Sequence, residues 1–178
     1  MGRIRGNWAR LAAAGLGVLL LAGCVDSATP LLDGVKPAFG AAVRMHVYSR
    51  RDGRASGPDA GTFRWDGTQY RVVGRPTFDV ASFTAVAVEG EDLIIQAKSS
   101  RPQIKGIEYA VAHKIADGIY LVSVIDEADA DDAARANCAK GGTDTCRIAT
   151  RDALLTFARA SAAKAEQKGS LVVQLGDH

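Results

Sequence analysis

Three times in the middle of the chain, an alternating run meets an acidic residue followed by glycine, and a second run begins just beyond it. Thr62–Trp65 and Gln69–Val73 flank Asp66-Gly67, and Phe83–Val88 and Leu93–Ala97 flank Glu89-Gly90. A third run from Ile107 reaches Asp117-Gly118 and resumes over Ile119–Ile125. In an extended strand, neighbouring side chains point to opposite faces. A tight turn between two such strands needs positive φ, which glycine supplies without steric cost. The pattern predicts antiparallel hairpins. The third unit is the clearest: Ile107, Tyr109, Val111, His113 and Ile115 share one face, and Glu108, Ala110, Ala112 and Lys114 the other. The first two units end on similar breakers, Gly74-Arg75-Pro76 and Ser100-Arg101-Pro102. Proline cannot donate to a ladder and belongs between strands. Val43–Tyr48 predicts one more strand, joined to the first hairpin by a loop over Arg50–Gly61.

After Ile125 the pattern turns helical. The acidic stretch Asp126–Asp132 precedes Ala133–Lys140, and Gly141 offers a stop. Acidic residues at a helix start accept free backbone N–H groups and suit the positive end of the helix dipole. The same stretch lacks the turn glycine and distal glutamate of a calcium loop. Thr150 is placed to cap a second helix from Arg151 to about Lys168, with Leu154, Phe157, Ala158, Ser161, Ala162 and Ala165 at helical spacing. Leu171–Leu175 predicts a short final strand. The fold class expected is α+β: an antiparallel hairpin sheet, curved or partly rolled into a barrel, with two late helices and a short last strand. Alternation alone does not say whether such a sheet closes.

The start of the chain is of another kind. Arg3, Arg5 and Arg10 stand without an acidic residue, and an apolar run over Leu11–Gly23 follows. That run is short for a membrane span, which needs roughly 20 residues, and has the form of a secretory leader. It ends in Leu21-Ala22-Gly23-Cys24, which resembles the lipobox of bacterial lipoproteins. The resemblance implies removal of residues 1–23, acylation of Cys24, and a globule held on the bilayer by lipid. One acyl chain holds a protein only marginally, whereas two or more make a stable anchor. It also implies an address in the cell envelope facing the periplasm. Val25 stands where enteric lipoproteins kept at the inner membrane carry Asp, so the outer membrane is favoured. Residues 24–40 then read as a lipidated N-terminus and tether, and 41–178 as one globular domain.

Without the leader, 19 basic residues face 20 acidic ones, so the basic balance of the whole chain belongs to residues 1–23. No run of Lys and Arg with interleaved aromatics suggests nucleic acid as a partner. The one basic cluster, Arg50, Arg51 and Arg54, sits among Gly, Asp, Ser and Pro and reads as a solvated loop. Cys24 set aside, Cys138 and Cys146 remain. An even pair in an exported domain reads as a disulfide, and so short a ring would contribute about 2.5 kcal/mol by chain entropy. Two thiols with no histidine nearby make a weak metal signal.

Chemistry is scarce. Of the histidines, His178 is the last residue, His46 lies opposite Val43, Met45 and Val47, and His113 lies on the apolar face of the clearest strand. No nucleophile elbow, phosphate loop, dinucleotide fingerprint or zinc-protease pattern occurs, and no cofactor is implied. Trp65 and Tyr70, flanking the first turn, are candidates for a ligand-binding aromatic platform, with cross-strand packing as the plainer account. His113 is a third ligand-binding candidate. The leading expectation is a non-enzymatic lipoprotein that binds or supports other envelope components. The second is a carrier of an apolar small molecule, because a strand meander, a helix and a short strand are similar in order to the lipocalins. That likeness is architectural, with no lipocalin motif near the first strand. A hydrolase with a site built from scattered residues is the third, and would need a pocket holding His113 beside a carboxylate.

Overall fold

The computed structural model describes residues 24–33, 36–51, 54–55, 59–75, 77–88, 90–140, 145–164, 167 and 171–176. The expected leader 1–23, His178 and the loop Gly141–Asp144 lie outside the described residues. In chain order the strands are β1 (Val25–Ser27), β2 (Ala42–Arg51), β3 (Arg54–Ala55), β4 (Asp59–Trp65), β5 (Tyr70–Val73) and β6 (Val80–Ala87). They continue with β7 (Leu93–Ser99), β8 (Ile107–Ala116), β9 (Ile119–Val124), β10 (Ala139–Lys140), β11 (Cys146–Arg147) and β12 (Leu171–Gly176). A 3-10 turn (Glu127–Asp129) and the helices α1 (Asp132–Arg135) and α2 (Arg151–Ala162) accompany these strands.

The three predicted hairpins are β4–β5, β6–β7 and β8–β9, and their turn glycines Gly67, Gly90 and Gly118 have φ of 104°, 59° and 68°. Each strand in the series β2, β4, β5, β6, β7, β8, β9 pairs antiparallel with the next. The last strand does more than extend an edge. β12 pairs with β9 on one side and β2 on the other, Val173 standing between Tyr120 and Val47. The sheet is thereby a closed eight-stranded barrel with no open edge.

A small side sheet is added where β8 leaves β9. β1 pairs antiparallel with the start of β8, Asp26 opposite Glu108, and parallel with β11, which in turn pairs with β10. The Cys138–Cys146 disulfide, with Cα atoms 4.9 Å apart, ties this sheet to α1. The helix expected over Ala133–Lys140 is only one turn long, because the chain must bend to bring Cys138 to the disulfide and Ala139 to its pairing with Arg147. Asp131 caps α1 by accepting from Ala134 N, and Thr150 caps α2 by accepting from Ala153 N. α2 ends at Ala162 and a turn follows at Ala163 and Lys164; of the expected remainder to about Lys168, Gln167 is again helical and 165–166 and 168 lie outside the described residues.

The segment expected as a tether is packed onto the barrel instead. Val25, Ser27 and Leu32 are buried. The Ser27 hydroxyl lies 2.7 Å from the Tyr109 hydroxyl, and Gln96 Oε1 accepts from the backbone N–H of Leu31 and of Leu32. An apolar segment with this many partners gains more by burial than by solvation.

Apolar side chains form two clusters. The outer one lies between the outer wall of the barrel and α2, and includes Ile94, Tyr109, Val111, Ile125, Leu154 and Phe157. The apolar face of β8 therefore points out of the barrel, under α2, while Ala112 and Glu108 point in. The inner cluster sits within one end of the barrel around Val43, Phe63, Tyr70 and Phe83.

Candidate functional site

The barrel interior is filled at one end and empty at the other. At the filled end, here called the base, the chain crosses before entering β2 and drops Phe39 inside. The Phe39 ring stands 6.0 Å from Tyr70, 6.4 Å from Phe83 and 5.9 Å from Tyr120. Phe39 N donates to the Tyr70 hydroxyl, which donates to Gly40 O, so both polar groups of this plug are satisfied. Burial of that hydroxyl pushes its acidity to higher pH, and it stays a neutral donor.

Above this plug lies a cavity of about 430 Å³. Its wall is made by Met45 and Val47 of β2, Phe63 of β4, Phe83 of β6, Ile95 and Ala97 of β7, Ala112 of β8, Tyr120 and Val122 of β9, and Leu171, Val173 and Leu175 of β12. Space exists because small residues stand on inner faces where larger ones would fill an eight-stranded barrel. Ala97 and Ala112 are examples, and at Gly61 an added Cβ would come within 2.9 Å of the Phe78 ring. Phe78, on the β5–β6 connection, leans over the cavity against Phe63, with ring centroids 5.8 Å apart.

Polarity rises toward the other end, here called the mouth. Ser49, Asp59, Thr77, Asp79, Ser99, Arg101 and Glu108 line the cavity there, on strand ends or connections of the mouth. Arg101 forms an ion pair with Asp79. Glu108 is half-buried, and its carboxyl is raised above the ordinary glutamate range by burial and by Asp26, with Arg101 opposing. Asp26 itself is held by Arg147 through two contacts of 3.0 and 3.1 Å. The result is an apolar tube with hydrogen-bonding and charged groups gathered at one end. Such a shape suits a single small molecule with an apolar body and one polar end.

The residues singled out from sequence are placed elsewhere. Tyr70 is fully buried in the base, with the Trp65 ring 5.1 Å away across the β4–β5 pair in edge-on packing. Neither lines the cavity, and cross-strand packing describes them. His113 is half-buried on the outer wall, its Nδ1 2.7 Å from Asp92 Oδ1. It does stand beside a carboxylate, but neither partner lines the cavity. Cys24 is half-exposed at the foot of the side sheet, bridging Asp126 and accepting from Cys146 N through its carbonyl. Its thiol is pushed up to about 11 by burial, then by Glu108, Asp126 and Asp26. Among the described residues no helix is long and apolar enough to cross a membrane.

The cavity residues escaped the sequence reading because no motif joins them. They come from seven of the eight barrel strands, two connections of the mouth and the segment before β2. The available signal was the inner-face series Glu108, Ala110, Ala112, whose small residues oppose the large apolar Ile107, Tyr109 and Val111 of the outer face. No known family model, curated protein or solved structure matches the chain.

Proposed function

We propose that this protein binds an apolar small molecule in its barrel and works in the bacterial cell envelope, facing the periplasm and held by lipid on Cys24. One observation carries the binding role: an apolar cavity of about 430 Å³, plugged at the base and polar only at the mouth. A cavity of this size, walled by apolar side chains, favours an apolar occupant over water. The geometry supports a carrier more directly than an accessory protein acting through its outer surface. Favoured occupants have a chain or ring body and an end that hydrogen-bonds to Arg101, Glu108 or the serines of the mouth.

Native mass spectrometry of protein purified from its own membrane in a mild detergent tests the binding role. The expected spectrum shows an added apolar molecule that is absent from Ala97→Trp, where the indole takes its space. A spectrum with no adduct in either protein, together with no uptake of a fluorescent fatty-acid probe, would contradict it. The anchor has a separate test. Cells fed radioactive palmitate should label the wild-type protein and leave Cys24→Ala unlabelled; label retained by that variant would overturn the lipid role.

A further inference from the structure

The cavity wall carries more negative charge than positive. Asp59, Asp79, Arg101 and Glu108 are its charged side chains among the described residues, and all four stand at the mouth. Arg101 is committed to Asp79. Asp79 O also accepts from Ser100 N at 3.3 Å, so this pair fastens the β5–β6 connection to the β7–β8 connection. Asp59 and Glu108 make no side-chain hydrogen bond or ion pair among the described residues. Glu108 is the telling one. It is half-buried, and burial is the first cause of its raised carboxyl, followed by Asp26. Asp26 has its own partner in Arg147, on the side sheet, so that guanidinium is occupied. Across the β7–β8 pair, Glu108 stands in register with Ala97, whose methyl leaves open space on the cavity side. The apolar tube therefore ends on a carboxylate with room beside it and no donor of the protein's own among the described residues.

We infer that the preferred occupant is an apolar amine, whose ammonium donates to Glu108 at the mouth while its chain or ring fills the tube. The inference rests on the proposed binding role and adds to it the class of ligand. An uncompensated carboxylate on an apolar wall is unfavourable in the empty protein, and much of its loss of water is already met on folding. A cationic donor then gains a charge-assisted hydrogen bond without desolvating that carboxylate a second time. An alkylamine is protonated at neutral pH, as lysine is. A carboxylate end meets like charge at Glu108 and Asp59, and has to draw Arg101 away from Asp79. An alcohol donates but brings no charge. The apolar body supplies most of the binding in every case, so a fatty acid still enters, and the polar end sets the order: amine, then alcohol, then acid.

Every described strand and both apolar clusters lie from Cys24 onward, so the chain starting there with Cys24→Ser is the species to test. Uptake of the neutral fluorophore N-phenylnaphthylamine reports the cavity whatever the charge at its mouth. Decylamine, decanol and decanoate are then compared as competitors at neutral pH. Decylamine should displace the fluorophore at about a tenth of the decanoate concentration or less, with decanol between them. Glu108→Gln keeps the shape, removes the charge and should narrow the ratio of amine to acid by about tenfold. Asp117→Asn, the same charge change on a fully exposed turn of the base, should leave that ratio as in the wild type. Decanoate as the strongest competitor would overturn the assignment and pass the polar end to Arg101 or to the arginines of the β2–β3 hairpin at this end. Equal displacement by all three, or an amine preference unchanged in Glu108→Gln, would overturn it as well. In each of these cases the fluorophore is still taken up and the binding role stands. No uptake by the wild type removes the binding role, and this assignment with it.

Discussion

The buried side chain of Gln96 meets five groups at once. Its Oε1 accepts from Leu31 N at 2.8 Å, Leu32 N at 2.9 Å and the Tyr109 hydroxyl at 3.3 Å, and its Nε2 donates to Leu32 O and Thr84 Oγ1. It thus supplies the partners that the 31–32 backbone would otherwise find in water or a strand. Gln96→Leu keeps the volume and strands two buried N–H groups, so it should cost about 2–4 kcal/mol in urea unfolding. It should also expose residues 27–33 to protease before the barrel unfolds. Glu108 acts in the opposite sense. Its carboxyl is raised, so the folded state holds that proton more tightly than the unfolded chain does. Its cost is absent below the ordinary glutamate range, appears as pH rises through that range, and is complete above the raised value. Glu108→Gln should therefore raise the melting temperature at pH 7 to 8 and change it little at pH 3 to 4. A gain that stays constant with pH would show that charge is not the cause. No sequence pattern marks either residue, because each depends on partners far away in the chain.

At the scale of elements, the hairpins were legible because each carries its own turn and its own alternation. What alternation could not show is which face of a strand points inward. β8 has Tyr109 and Val111 on the outer wall, because α2 covers that wall and supplies Leu154 and Phe157 as partners. Ala112 faces in, where it leaves room rather than filling it. Phe157→Ala should then cost about 3–5 kcal/mol, as loss of a fully buried aromatic does, while cavity binding by the refolded remainder is unaffected. Chemical unfolding with a probe-binding readout on the same samples checks both halves. The helix before the disulfide is shorter than its composition implies for a related reason. Its local propensity is overridden at Ala136 by the bend that brings Cys138 to Cys146. Reduction of that bond should lower stability by about 2.5 kcal/mol, measured as a shift in the urea midpoint with and without reductant.

At the scale of the molecule, closure is non-local: β12 lies beside β9 but joins β2 across more than a hundred residues, with Gln174 opposite Ile119 on one side and His46 on the other. Alternation reports the strands but carries no record of such a pairing, so the sequence left a curved sheet and a barrel equally open. The cavity is less legible still, being the difference between the space that eight strands enclose and the volume of the residues lining them. The account stands or falls on that space being used. Isothermal titration of the chain from Cys24 onward, as Cys24→Ser, with a long-chain fatty acid measures this most directly. The prediction is one molecule bound per chain, a negative heat-capacity change from apolar burial, and loss of the signal in Ala97→Trp with its circular dichroism unchanged. Binding that survives the tryptophan undiminished, or no heat from the wild type at any temperature, would contradict it.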